Sequence, residues 1–137
     1  LINNAIEWCL DDSDKSEGIL ENIDEKYGVE SGEPFRIGVS LFEKMLKEKN
    51  IQLLDVRTPS EFKASHISGT KWIDWFAPSF KKKIKELDKE KIYLVYCAGG
   101  VRSARACKMM SDMGFKYTVD LAPGFNGWKA AGKAIEK

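Results

Sequence analysis

The sequence has few of the residues from which metal centres and disulfide frameworks are built. Its 137 residues include one histidine, His66, and three cysteines, Cys9, Cys97 and Cys107, with no Cys-x-x-Cys pair. An odd cysteine count argues against a disulfide framework, and the set lacks the ligands of an ordinary zinc site. The sequence contains no apolar run of about 18 residues and no basic segment followed by an apolar stretch,. It therefore predicts neither a membrane span nor a secretory signal.

The charge is unevenly distributed, although the net charge is only +1. Residues 1–35 carry ten acidic and two basic side chains, a net charge of −8, so the remainder carries +9. A basic body favours small anions and acidic partners. Nucleic acid is the weaker interpretation, because the lysines between residues 81 and 91 lack interleaved aromatics and are typical of a solvated helix face. The complementary charges suggest that the acidic segment folds against the basic domain, as a fixed flank or as a cover near a site.

Two parts of the chain differ in pattern. Residues 1–34 predict an acidic helical extension, because apolar residues recur there at helical spacing on both sides of a polar turn. From residue 35 to 137, short apolar runs alternate with helical stretches, and residues 91–96 form the strongest strand. This alternation predicts one α/β domain with a parallel sheet covered by helices. In such sheets ligands bind beyond the carboxyl ends of the strands.

Local patterns also predict where helices begin. Ser40 with Glu43, and Thr58 with Glu61, have the spacing of capping boxes, and each predicts a helix start. Residues 75–88 have the spacing of an amphipathic helix, and this interpretation places Phe76 on the inward face together with Phe80, Ile84 and Leu87.

The strongest strand is followed by a loop that combines a cysteine, two glycines and an arginine before the next helix. The loop residues are Cys97, Ala98, Gly99, Gly100, Val101, Arg102 and Ser103. Glycines let backbone N–H groups turn inward, and a helix N-terminus adds a positive end. Such a field stabilises a thiolate, the reactive form of cysteine, and Arg102 offers a fork for an oxyanion. The pattern predicts Cys97 as a nucleophile and the other six residues as an anion cradle, whereas Cys9 and Cys107 fit structural roles.

Three ordered stretches resemble the rhodanese family, the fold of thiosulfate and mercaptopyruvate sulfurtransferases. They are residues 53–57 with 61–62 and 66–70, the loop 96–103, and residues 123–128. The family usually has a glycine where Pro123 stands. The resemblance covers about residues 35–134 and implies a five-stranded parallel sheet with helices on both faces. It tells nothing about the extension.

The resemblance also implies a mechanism. Cys97 would take the outer sulfur of an anionic donor, thiosulfate before mercaptopyruvate, and pass it from a persulfide to a thiol or cyanide. Backbone N–H groups from Ala98 to Ser103 would hold the persulfide charge, and Arg102 would bind the donor. Neither a metal nor an organic cofactor is implied. A cysteine that must stay reduced favours the cytoplasm, although exported members of the family exist.

The other matched residues fit scaffold roles. Asp55 and Arg57 can pair with the backbone or with each other, and the capping box explains Glu61. The family places the matching histidine, here His66, away from the nucleophile. Trp128 fits the core. Core packing is also favoured for Trp72, Trp75 and Phe76, with the mouth of the site as the alternative.

Three other functions compete with catalysis of sulfur transfer from a small donor. The first is a phosphatase or an arsenate reductase of the same fold. Related dual-specificity phosphatases place five residues between cysteine and arginine, whereas four intervene here, which makes a smaller cradle that fits sulfur better than phosphate. A binding module without activity typically lacks the loop cysteine, which is present here. A sulfur carrier that receives and passes persulfide sulfur to a protein partner keeps the same chemistry and stays open.

Overall fold

The computed structural model describes residues 26–137. Predictions that concern residues 1–25, including most of the acidic helical extension and its contact with the basic domain, lie outside the described residues. The strands are β1 (Pro34–Ile37), β2 (Ile51–Asp55), β3 (Lys71–Trp72), β4 (Ile92–Tyr96) and β5 (Tyr117–Leu121). The helices are α1 (Val39–Met45), α2 (Pro59–Ala64), α3 (Phe80–Lys85), α4 (Val101–Asp112) and α5 (Gly124–Ala130).

The five strands of the described part form one parallel sheet in the order β1-β5-β4-β2-β3. β4 occupies the centre, and every one of its residues is buried. A continuous run of apolar and aromatic residues suits this position, because a central parallel strand is covered on both faces. The predicted five-stranded parallel sheet is confirmed.

The sheet separates two apolar layers. Successive side chains of a strand point to opposite faces, so Leu94 and Tyr96 pack with α1 and α5, while Val95 and Cys97 pack with α3 and α4. The first layer includes Phe42 and Trp128, which meet edge to face with ring centroids 6.0 Å apart. Helices therefore cover both faces, as predicted, and Trp128 belongs to the core.

Of the two predicted capping boxes, one is absent and one is confirmed. α1 begins at Val39, and its first turn is closed by the Phe42 N–H donating to the Gly38 carbonyl at 3.0 Å, so Ser40 and Glu43 form no capping box. The Thr58–Glu61 capping box is present at the start of α2.

The segment before α3 also differs from its prediction. The helix begins only at Phe80, because the Asp74 carboxylate accepts the N–H of Phe76 at 2.9 Å and its carbonyl accepts the N–H of Ala77. This turn leaves Phe76 66% exposed, whereas Phe80 and Ile84 are buried as expected. Phe76 is therefore a surface residue and not part of the core.

The first described residues are attached to the domain. Val29 is buried in the layer that contains α1. The Tyr27 hydroxyl and the Lys26 ammonium both donate to the Glu48 carboxylate, at 2.5 and 2.8 Å. Across residues 26–137, no helix is both long and apolar enough to cross a bilayer. Location in the cytoplasm stays a prediction.

Candidate active site

The Cys97 side chain lies at the carboxyl edge of the sheet, directly after the central strand. It is buried, and its sulfur faces the first turn of α4. The backbone N–H of Gly100 donates to Sγ at 3.0 Å, and that of Ser103 donates at 3.3 Å. The loop thus curls around the sulfur and presents two N–H groups from the positive end of a helix.

Gly100 makes this curl possible. It stands before α4 with φ +102°, a left-handed conformation that glycine adopts at little cost,. A Cβ atom at this position would overlap the Ala122 carbonyl oxygen and would meet the Arg36 guanidinium at 2.8 Å. The glycine is therefore required both by its backbone angle and by the close approach of the β5–α5 connection.

A second segment fixes the first half of the loop. The N–H of Phe125 donates to the Cys97 carbonyl at 2.7 Å, and that of Asn126 donates to the Ala98 carbonyl at 3.0 Å. Gly124 has φ +70°, and a Cβ there would overlap the Ala98 carbonyl. Pro123, the departure from the family pattern, has φ −80°, within the range of proline,.

Arg102 lies beside the loop and is held by a residue from α2. Its two terminal nitrogens donate to the two carboxylate oxygens of Glu61 at 2.9 and 3.1 Å. The arginine is the largest cause that lowers the pKa of Glu61 to about 2. The ion pair uses two of the five guanidinium N–H groups. Glu61 thus does more than cap its helix, which the sequence pattern did not indicate.

A buried carboxylate stands behind the cysteine. The Cys97 thiol contacts Ser103 Oγ at 3.5 Å, and Ser103 Oγ donates to Asp120 Oδ2 at 3.2 Å. Asp120 is 1% exposed, and burial raises its pKa to about 6. Its cationic partner is Arg36, whose guanidinium lies 3.6 Å from Oδ2 and also donates to the carbonyls of Ala122 and Gly100.

The predicted cradle residues do not all have the same place. Gly100 and Ser103 touch the sulfur, Ala98 contacts the closing segment, and Val101 is 62% exposed. The N–H groups of Val101 and Arg102 lie in the first turn of α4, where a helix offers no backbone acceptor. Gly99 lies between Ala98 and Gly100, and no atom lies within 4 Å of the position that its Cβ would take.

The residues expected to be scaffold have partners outside the loop. Asp55 and Arg57 form a buried ion pair at 2.7 Å, with the guanidinium 4.2 Å from the centre of the Phe125 ring. His66 Nδ1 lies 2.9 Å from the Phe62 carbonyl oxygen, and Nε2 lies 3.3 Å from Glu136.

Cys107 and three aromatic residues divide between buried and exposed positions. Cys107 is fully buried in α4, and burial raises the pKa of its thiol. Trp75 packs on Phe80, and the Trp72 indole donates to the Arg57 carbonyl at 2.8 Å. Of the three aromatic residues, Phe76 reaches the site, with its ring centre 5.8 Å from the Arg102 guanidinium carbon.

Comparison with known proteins agrees with the fold described above. Residues 39–131 match the rhodanese-like domain family. The chain belongs to this family. It is 30% identical over 87 residues to the thiosulfate sulfurtransferase GlpE of Coxiella burnetii, an alignment that covers 64% of this chain and 79% of GlpE. YrkF of Bacillus subtilis, named as a candidate sulfur carrier protein, is 29% identical over 86 residues, covering 63% of this chain and 45% of YrkF.

Solved structures agree. A rhodanese-related protein of Thermoplasma volcanium superposes with a TM-score of 0.64 at 28% identity, covering 74% of this chain and 96% of that one. Membership of the rhodanese-like family supports sulfur transfer as the general activity. The donor, the acceptor and the residue that carries the sulfur are a separate question.

Proposed function

We propose that this protein moves sulfane sulfur from thiosulfate to a thiophilic acceptor through a persulfide on Cys97. The observation that carries the proposal is the cradle in which the N–H groups of Gly100 and Ser103 donate to Cys97 Sγ. These donors favour a negatively charged sulfur, and they stand at the start of a helix whose dipole acts in the same direction. The similarity to a thiosulfate sulfurtransferase supports the choice of donor.

The reaction has two displacement steps. In the first, the Cys97 thiolate attacks the outer sulfur of thiosulfate, a sulfur–sulfur bond forms, and sulfite leaves with the electron pair of the broken bond. In the second, cyanide or a thiolate attacks the terminal sulfur of the persulfide, and Cys97 recovers its thiolate. Charge is conserved in each step, and no cofactor is needed.

Groups of the loop could stabilise the negative charges of the persulfide and of the donor. The remaining N–H groups of the first turn, those of Val101 and Arg102, are suited to the terminal sulfur of the persulfide, as an oxyanion hole is suited to oxygen. Arg102 would bind the sulfonate end of the donor with the N–H groups that Glu61 does not occupy,.

A thiocyanate assay tests the proposal. The protein is given thiosulfate and cyanide, and thiocyanate is measured for the wild type, Cys97→Ser and Cys107→Ala. We expect turnover in the wild type and in Cys107→Ala, and none in Cys97→Ser. Equal turnover in Cys97→Ser would overturn the role of Cys97. No turnover in any form, together with hydrolysis of an aryl phosphate, would favour the phosphatase reading of the loop.

A protein sulfur acceptor is the second candidate, and one observation favours it. The two large apolar side chains most exposed in residues 26–137, Phe76 and Val101, both lie next to Arg102 at the loop. Small anions do not need such a surface, whereas a protein partner would cover it. The similarity to a candidate sulfur carrier is consistent with this role.

The acceptor size separates the two candidates. Transfer from persulfide-loaded protein is compared for dithiothreitol and for a cysteine peptide with apolar flanking residues, in the wild type and in Phe76→Ser. A carrier role predicts that Phe76→Ser slows transfer to the peptide several-fold and leaves transfer to dithiothreitol unchanged. If Phe76→Ser left transfer to the peptide unchanged, or slowed transfer to both acceptors equally, the support for a protein acceptor would be removed.

A further inference from the structure

Asp120 is an unusual residue for its position. It lies in β5, the strand next to the centre of the sheet, and all five residues of this strand are buried. A carboxylate in such a place loses hydration that its partners must replace. Burial raises its pKa to about 6, although Arg36 and the Ser103 hydroxyl act in the opposite direction.

The surroundings of Asp120 identify those partners. Arg36 approaches from β1 at 3.6 Å and is half exposed. From α4, the Ser103 hydroxyl donates to Oδ2 at 3.2 Å. The Asp120 charge adds to burial in raising the pKa of the Cys107 thiol, which also lies on α4. Cys97, at the end of β4, joins the group through Ser103 Oγ, 3.5 Å from Sγ. The result is one continuous chain from the reactive sulfur through a hydroxyl to a carboxylate.

We propose that Asp120 is a positioning residue that shares the proton of Cys97 through the Ser103 hydroxyl. The S–H bond of Cys97 breaks as its proton moves to Ser103 Oγ, and the Ser103 hydroxyl proton moves to Asp120 Oδ2. A thiolate and a neutral carboxylic acid replace a thiol and a carboxylate. The net charge of the site does not change, and no other reactant is required.

This arrangement has a consequence for the proposed sulfur transfer, on which its catalytic part rests. With Asp120 protonated, the Ser103 hydroxyl is turned to donate to the thiolate, in addition to the N–H groups of Gly100 and Ser103. The buried site then presents a nucleophile without a second negative charge beside it, which favours the approach of an anionic donor.

Alkylation tests the shared proton without any sulfur donor. The rate at which iodoacetamide modifies Cys97 is followed by peptide mass across the pH range in which carboxyls and thiols titrate. Two groups that share one proton titrate in two steps that belong to the pair. We expect a wild-type rate that rises in two steps, the lower one in the pH range in which carboxyls titrate, and a single step in Asp120→Asn and in Ser103→Ala.

Two variants separate this role from a structural one. Ser103→Thr keeps the hydroxyl and is expected to keep both steps. Thr118→Val changes another buried polar residue on the same face of β5,, and is also expected to keep both. A single step in the wild type, a lower step that survives in Asp120→Asn, or loss of that step in Thr118→Val would overturn the proposal.

The outcome can be told apart from failure of the proposed function. A two-step profile in a protein that accepts no sulfur from thiosulfate would overturn only the function. Sulfur loading with a one-step profile would overturn only the shared proton. If both hold, Asp120→Asn and Ser103→Ala each slow sulfur loading by about tenfold or more. The double variant should be no slower than either single one, because the residues act as one unit.

Discussion

Glu61 and Arg102, forty-one residues apart in the chain, meet in a two-point ion pair at the side of the Cys97 loop. The glutamate comes from the first turn of α2 and the arginine from the first turn of α4. The pair fixes the plane of the guanidinium and neutralises part of its charge. An anionic donor that bound here, as we propose, would therefore meet an oriented fork and not a freely moving cation.

Arg102→Lys is expected to weaken binding of the donor. A lysine cannot make two parallel hydrogen bonds to Glu61 and still offer a planar fork to an anion. The KM for thiosulfate should rise by about tenfold or more, with a smaller change in kcat. Steady-state thiocyanate formation measures both, and Arg105→Lys, an exposed position on the same helix, serves as the control. An unchanged KM would remove Arg102 from donor binding.

Gly124→Ala is expected to destabilise the protein more than Gly132→Ala. Both glycines have positive φ, +70° and +75°, so both substitutions bear the cost of a left-handed alanine, about 1 kcal/mol,. At Gly124 the added Cβ also overlaps the Ala98 carbonyl, whereas nothing lies within 4 Å at Gly132. The overlap should add about 1–3 kcal/mol, measured by urea unfolding with tryptophan fluorescence. Equal losses at the two positions would contradict the close approach.

Phe76→Ala and Phe80→Ala should differ widely in stability. Phe76 is 66% exposed and Phe80 is 4% exposed. We expect Phe76→Ala to change the free energy of unfolding by no more than about 0.5 kcal/mol, and Phe80→Ala to lower it by about 3–5 kcal/mol. The same urea titration decides this. A large loss for Phe76→Ala would contradict the exposed position of this side chain and favour the longer helix that the sequence pattern predicted.

The stability of the protein should depend on pH through Asp120. Its folded-state pKa, about 6, is above the unfolded value of about 3.9. A carboxyl whose pKa is raised by folding contributes stability below its unfolded pKa and loses it as pH rises through the folded pKa. The free energy of unfolding of Asp120→Asn minus that of wild type should therefore rise between about pH 4 and pH 6, by about 2–3 kcal/mol.

Thr118→Val provides the reference for that pH dependence. It alters a buried polar group on the same strand but removes no titrating group. Its difference in unfolding free energy from wild type should stay constant over the same pH range. An Asp120→Asn difference that is equally flat would show that the carboxyl does not titrate as its burial implies.

Local patterns were enough to bring the residues of the candidate site together, because its central parts are contiguous. Cys97, both glycines, Arg102 and Ser103 occur in one run that joins a strand to a helix, so their proximity needs no tertiary information. The central strand was equally clear, since an apolar run of this length suits a strand that is buried on both faces. The Thr58–Glu61 capping box likewise depends on neighbours in one turn.

Contacts between residues far apart in the chain could not be predicted from local patterns. Arg36 and Asp120 meet only because β1 and β5 are neighbours in space. One signal was available, since Asp120 interrupts an otherwise apolar strand and such a charge requires a partner. The error at Phe76 has a similar origin. Helical spacing included it, whereas Pro78, two residues before the first helical residue, pointed to a later start, and the Asp74 turn is seen only in the structure.

The most direct test of the account is the intact mass of the protein after incubation with thiosulfate, beside a Cys97→Ser control. We predict that the wild type gains the mass of one sulfur atom, that cyanide removes this mass, and that the control gains nothing. Gain of the same mass by Cys97→Ser, or no gain by wild type while another sulfane donor also fails to load it, would contradict a Cys97 persulfide.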